Sequence, residues 1–299
     1  MNFFIPFIGS LLSSGAAITD KVLLGGKGIT YKNYSVVSFL AALFVAGIAF
    51  FAFGTQITLD LFKGYAGLLL IFTTATILTS NLLYYHALKN DLLTEMETVT
   101  LLANVPIIIA AFIFFPDENK NLLILYAALI ASLAVIWSHW EKGHPFVKRK
   151  TWPFLIWVLI IAPIEAAAFK QILTIWHPIS LQFVREIIIV PFLGFMYADT
   201  LKKVSPRSFV TIFFTGSILT LGSILFFISY SKFGIIQTTL IFTLQPLLTY
   251  IGGLVLLKEK FHKKKIIAFL IVLIVITIAQ IPDILQTLDS FFNIILLNS

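Results

Sequence analysis

The chain has 299 residues, 59% hydrophobic and 12% charged, with mean hydropathy +0.98; a soluble domain is about half apolar and roughly a quarter charged, so a water-soluble fold cannot hide this much apolar surface. The net charge of +7 and pI near 9.5 do not make a nucleic-acid binder, because the basic residues are scattered through short connections between apolar runs, where such residues set orientation against the cytoplasmic leaflet. The absence of cysteine excludes disulfides, thiolate metal sites and a cysteine nucleophile.

Repeated apolar runs of about 20 residues match the bilayer core. They lack the alternation of a barrel strand, which makes the fold class all-α, a polytopic helical membrane protein. Residues 1–24 have no basic n-region or small-residue cleavage site, so they read as a first span near 3–24 rather than a signal peptide. Further spans are expected near 35–54, 65–87, 92–115, 121–140, 153–176, 178–199, 208–231, 234–257 and 266–282. The breaks between them are short and carry turn or charged residues, such as Gly25-Gly26-Lys27-Gly28, Lys89-Asn90-Asp91 and Lys142-Gly143-His144-Pro145, so sequential spans are antiparallel neighbours. Beyond Pro282, the tail 283–299 has Ile284, Leu288, Phe291, Phe292 and Ile295 at helical spacing. It reads as an amphipathic interfacial helix, the alternative being a frayed continuation of the last span.

Sixteen Lys and Arg fall on the side bearing the odd-numbered connections and three, Lys63, Lys120 and Lys232, on the other. This bias predicts both termini outside a cell (plasma) membrane.

Two halves are visible. Gly15-Ala16-Ala17-Ile18-Thr19-Asp20-Lys21-Val22-Leu23 resembles Glu165-Ala166-Ala167-Ala168-Phe169-Lys170-Gln171-Ile172-Leu173 at an offset of 150, and Pro106 falls on Pro246 at an offset of 140. The order of the matches is shared. Five spans per half is an odd number, so the halves, 1–150 and 151–282, are expected to sit in opposite orientations as an inverted repeat. Such transporters bind substrate near the midplane and rock one half against the other.

The stretch Tyr230-Ser231-Lys232-Phe233-Gly234, then Leu244-Gln245-Pro246-Leu247 and Leu256-Leu257-Lys258-Glu259-Lys260, resembles the drug/metabolite transporter superfamily and, within it, the EamA-like families. In the first half Pro116-Asp117-Glu118-Asn119-Lys120 replaces the usual ending. The resemblance implies ten transmembrane helices and a central cavity lined by spans 1, 3, 4, 6, 8 and 9. Many members of the family have both termini in the cytoplasm, opposite to the charge bias here, so import or export does not carry over.

Ionisable groups inside spans cost roughly 2.5–3.5 kcal/mol each on insertion scales and need a partner, a wet cavity or a function. Glu165 lies 12 residues before the His177-Pro178 break, near mid-membrane. It is a candidate to bind a cationic group or exchange a proton, or else to hold a structural pair. Glu97, Thr100 and Asn104 form a stripe at i, i+3, i+7 spacing; Glu97 overlays Gln237 in the repeat, and Gln245 lies further along the same span. Glu97, Asn104, Glu165, Gln237 and Gln245 are assigned to the cavity, with interhelical hydrogen bonding the alternative for the amides. Tyr84, Tyr85 and Tyr230 are placed to stack on a substrate, and the five Trp are assigned to the interfacial belt. Lys170, Arg185 and Glu186 are expected to form a local charge network or, for the long basic chains, to snorkel.

The five histidines do not form a metal constellation, no cofactor is expected, and phosphate-cradling or nucleophile motifs are missing. The protein therefore reads as a non-enzymatic secondary transporter of a small polar or amphipathic metabolite, amino acid or amine-like, with protons as a candidate coupling ion. Its partners are the lipid bilayer and a small-molecule substrate. The alternative is a flippase for a lipid-linked intermediate or a non-transport membrane interaction subunit. Oligomeric state is not legible.

Overall fold

The computed structural model describes residues 4–91, 93–118, 122–139, 149–256 and 263–279. The tail 283–299, the connection containing Lys142-Gly143-His144-Pro145, Trp140, the Glu259 ending and the side chain of Glu95 lie outside the described residues.

The chain forms α1 (Phe4–Leu24), α2 (Tyr31–Phe53), α3 (Gly64–Asn90), α4 (Leu93–Leu102), α5 (Asn104–Phe114) and α6 (Leu122–His139). These are followed by α7 (Trp152–Ile156), a π turn at Trp157–Ile161, α8 (Ala162–Ile172), α9 (Pro178–Leu201), α10 (Pro206–Phe242), α11 (Gln245–Leu256) and α12 (263–279). Among the described residues, six stretches are long and apolar enough to cross a membrane, and Val99–Phe114 and Leu122–Ser138 are shorter apolar helices. Large apolar side chains face outward, with Phe195 93% and Phe51 77% exposed. Such a surface suits lipid rather than water.

Proline decides where the helices break. It has no N–H for the carbonyl four residues back and its ring clashes there. Pro106 ends α4 at Leu102 and Pro246 ends α10 at Phe242, each four residues before its proline. The single spans expected at 92–115 and 234–257 are therefore each interrupted near the middle. Pro163 in turn deprives the Leu159 carbonyl of its helical partner, and the chain passes through a π turn in which the Ala162 N–H bonds to the Trp157 carbonyl.

Spans 8 and 9, expected as separate helices, run together as α10 with one non-helical residue, Gly234 (φ 82°, ψ −179°). That conformation is essentially restricted to glycine. The first helical turn beyond it is capped from another part of the chain: the Glu118 carboxylate accepts hydrogen bonds from the N–H groups of Ile235 at 2.7 Å and Ile236 at 3.1 Å.

Packing follows close backbone approach. A Cβ at Gly222 would lie 3.3 Å from the Gly9 carbonyl oxygen, and one at Gly216 would lie 3.0 Å from Ser38 Cα. Small residues at these positions let α1 and α2 lie directly against α10, as is common where helices pack without a hydrophobic driving force. α2 also packs along α9, α3 against α8, α1 against α11, and α4 against α11.

Candidate functional site: a carboxylate-lined cavity

Residues from α1, α3, α4, α5, α7, α8, α10 and α11 enclose a cavity of about 360 Å³, adjoined by a second of about 250 Å³ around the two proline breaks. Glu97, Glu165, Gln245 and Tyr84 line the larger cavity. Asn104 lines the smaller one, which also shares Glu97 and Gln245. At the breaks the Asn104 Nδ2 donates to Thr243 Oγ1 at 3.4 Å, so the two interrupted helices touch where their regular hydrogen bonding lapses. Pro106 and Pro246 offer no N–H to the Leu102 and Phe242 carbonyls, which leaves acceptor capacity beside the cavity.

Gln237 is not among the cavity-lining residues. The repeat overlay that paired it with Glu97 shifts once helix starts are counted: Glu97 is the fourth residue after Leu93, and Thr239 is the fourth after Ile235. Thr239 lines the cavity of about 250 Å³.

Asp20 carries no role in the sequence reading, where it appears only within the repeat segment Gly15–Leu23. In the structure it is 2% exposed, lines the larger cavity and accepts a hydrogen bond from the Tyr34 hydroxyl. The signal was the stripe Ser13, Ala17, Asp20 at i, i+4, i+7, all three of which line the cavity. Three carboxylates, Asp20, Glu97 and Glu165, therefore face one space. The buried Glu165 keeps its Oε1 without a hydrogen-bond partner.

The expected network of Lys170, Arg185 and Glu186 divides into two. Lys170, two residues before the end of α8, turns away from Glu165 and pairs with Asp117 and Glu118, each at 2.7 Å. The five-residue separation, roughly 140° around a helix, forces the two onto different faces. Arg185 is instead bound within α9: its Nη2 donates to Gln182 Oε1 at 2.9 Å, and Gln182 Nε2 donates to Glu186 Oε1 at 2.6 Å. Gln182 is three and four residues from its partners, the spacing that brings side chains together on a helix. The Arg185 guanidinium lies over Phe169 and Phe227, 5.2 and 4.8 Å from their ring centres. Both rings also line the larger cavity, and Arg185 and Glu186 line a small pocket of about 60 Å³ that shares Asn81, Tyr85 and Phe227 with it. Trp176 departs from the interfacial assignment: it is 1% exposed and packs edge-on against Phe62 at 5.4 Å.

Outside the spans, His177 caps α9, its Nδ1 accepting from the Ile179 N–H at 3.3 Å. Partial burial holds its pKa below the ordinary imidazole value of 6.5.

Residues 153–280 match the model of the EamA-like transporter family. The match covers the second half of the chain and is consistent with the drug/metabolite transporter superfamily. Together with the long apolar helices, that match supports an integral membrane protein related to transporters. A solved structure titled only "Crystal structure of protein" superposes on this chain with a TM-score of 0.66 at 13% identity, covering 94% of this chain and 97% of that one. At such identity the likeness is one of fold alone. No curated protein matches the sequence.

Proposed function

We propose that this protein is a secondary transporter that carries a small polar or amphipathic metabolite, amino acid or amine-like, by alternating access between two inverted five-span halves, 1–150 and 151–282. The observation that carries the reading is the cavity itself, walled by residues from both halves and set at the level of paired helix breaks. Interrupted helices at the midplane are where such carriers bind substrate.

The inverted repeat has independent support in the packing. Exchanging the halves turns the contact of α1 with α10 into that of α3 with α8, and the contact of α1 with α11 into that of α5 with α8; both members of each pair occur. The contact of α2 with α9 maps onto itself, and that of α4 with α11 onto that of α10 with α5, which also occurs.

Glu165 or Glu97 is proposed to exchange a proton against substrate, since each is a buried carboxylate lining the cavity. The Lys and Arg bias supports a plasma-membrane orientation with both termini outside. Some of those cations have structural work as well: Lys21 Nζ donates to the Leu88 carbonyl at 2.7 Å and to the Asp91 carbonyl, and Lys89 Nζ donates to the Ile29 carbonyl. Lys21 and Lys89 thereby satisfy carbonyls at helix ends and in the adjoining loop.

The test is uptake of a radiolabelled panel of amines and amino acids into proteoliposomes under imposed pH or voltage gradients. At least one member should move in a gradient-dependent way. Folded protein that moves none of them under any gradient would sink the proposal.

A further inference from the structure

The proposed function leaves the substrate between an amino acid and an amine. The cavity carries three acidic side chains, Asp20, Glu97 and Glu165, and among the described residues none of those lining it is Lys, Arg or His. A carboxylate-bearing substrate would face like charges with no donor cation. Arg185 lines a small side pocket of about 60 Å³ that shares Asn81, Tyr85 and Phe227 with the cavity, where its guanidinium bonds to Gln182 and lies over the Phe169 and Phe227 rings; Lys265, the cation that acts on Glu97, is buried over the Tyr250 ring.

The acids are also separated along the membrane normal. Asp20 and Glu97 each lie four residues from the helix end on one side, at Leu24 and Leu93, about 6 Å deep by helical rise. Glu165 lies 13 residues beyond Trp152 at that same side, about 20 Å deep. Each end has its own aromatic wall. Tyr84 stacks near Tyr85 and Phe154, at 5.6 and 5.7 Å between ring centres, at the Asp20 and Glu97 end. Phe226 lies 4.4 Å from Tyr230, on the α10 wall at the Glu165 end. Aromatic faces beside carboxylates are the surroundings in which organic ammonium groups are held.

We propose that the cavity is built for an elongated organic dication, a linear α,ω-diamine, with one ammonium held between Asp20 and Glu97 and the other at the Glu165 carboxylate. Taking an ammonium–carboxylate contact of about 2.8 Å from each end of a separation of about 13 Å leaves roughly 8 Å between nitrogens. An extended chain of about four to six methylenes spans that distance, and its hydrocarbon middle lies along the phenyl rings. The inference rests on the transport reading only for its physiological meaning, because binding is measured without flux.

The experiment is equilibrium binding to the purified full chain in detergent, using the linear diamines from propane to octane, the monoamines of matching length, and the matching amino acids. Affinity should peak at intermediate diamine length, with the matched monoamine about tenfold to a hundredfold weaker, the range expected for losing one charge-assisted contact. Glu165→Gln and, separately, Asp20→Asn should flatten the length dependence; Asn can still accept the Tyr34 hydroxyl. A monoamine that binds as well as its diamine, an affinity independent of length, or tighter binding of the amino acid would each overturn the proposal. These comparisons are made on wild-type protein, so a variant that fails to fold does not shelter the idea. Diamines that bind with the expected length optimum but do not cross proteoliposomes would support the site while refuting the transport reading.

Discussion

Gly234→Ala tests the junction that joins the two halves at the end of the bundle opposite Gly25. Glu118, from the connection after α5, caps Ile235 and Ile236 and pairs with Lys170 of α8. Its side chain is only 5% exposed and that of Lys170 16%. A Cβ on Gly234 would overlap the Glu118 carboxylate, and the residue would also have to hold φ 82°, ψ −179°. That backbone region costs a non-glycine residue about 1–3 kcal/mol. Displacing Glu118 removes a charged helix cap worth about 2 kcal/mol, Lys170 being left with Asp117. Gly234→Ala should therefore destabilise the wild-type protein by about 3–5 kcal/mol. In the Glu118→Ala background the cap is already gone, so the same substitution should cost only the backbone strain, about 1–3 kcal/mol. The difference, a coupling of about 2 kcal/mol, is read from a double-mutant cycle of reversible unfolding in detergent or bicelles. Additive effects of the two substitutions would show that Glu118 does not cap this helix and would refute the reasoning.

Glu165→Gln should abolish the pH dependence of flux in proteoliposomes while leaving folding intact; unchanged pH dependence would clear Glu165 of proton exchange. Arg185→Met leaves Glu186 buried with its partner network cut, at a cost of about 3–5 kcal/mol, and adding Glu186→Leu with Gln182→Met should recover most of it in thermal unfolding. Failure of the triple variant to regain stability would mean that the network does more than neutralise itself. His177 accepts a hydrogen bond in its neutral form, and its folded pKa lies below the unfolded value of 6.5, so its contribution is present above pH 6.5 and is lost as pH falls through the folded pKa. His177→Asn should keep the cap and remove that part of the acid-side decline in melting temperature; the effect is small because the ring is largely in water.

Much of the helical skeleton was legible because lipid leaves the chain few choices: apolar runs must become helices, and charged or glycine-rich breaks must turn. The prolines were legible as markers of a repeat, but not as breaks, since many transmembrane prolines only kink a helix when neighbours satisfy the freed groups. Glu97, Glu165, Gln245, Tyr84 and Asn104, which line the two cavities, stand out in the sequence because polar groups within apolar spans are costly. Gln237 lines neither cavity, because Gly234 interrupts the helix and the stretch before the break is shorter in the second half, which changes the register that a fixed offset assumes. Asp20 was passed over because distance from a loop in sequence is a poor guide to burial once α10 and α2 cover it. Lys170 was paired with the wrong acids because its real partners, Asp117 and Glu118, sit in a connection that sequence reasoning treated as solvent-exposed.

The central claim is that one cavity between the two halves serves both sides of the membrane. Because the chain has no cysteine, it can be tested at single sites. Ser80→Cys and Ser223→Cys each place a thiol in the cavity wall, and a membrane-impermeant thiol reagent can be offered from either face of oriented proteoliposomes. The account predicts that the same thiol reacts from both faces and that substrate or a pH gradient shifts the ratio of the two rates. Reaction from one face alone, whatever the substrate or gradient, would contradict it.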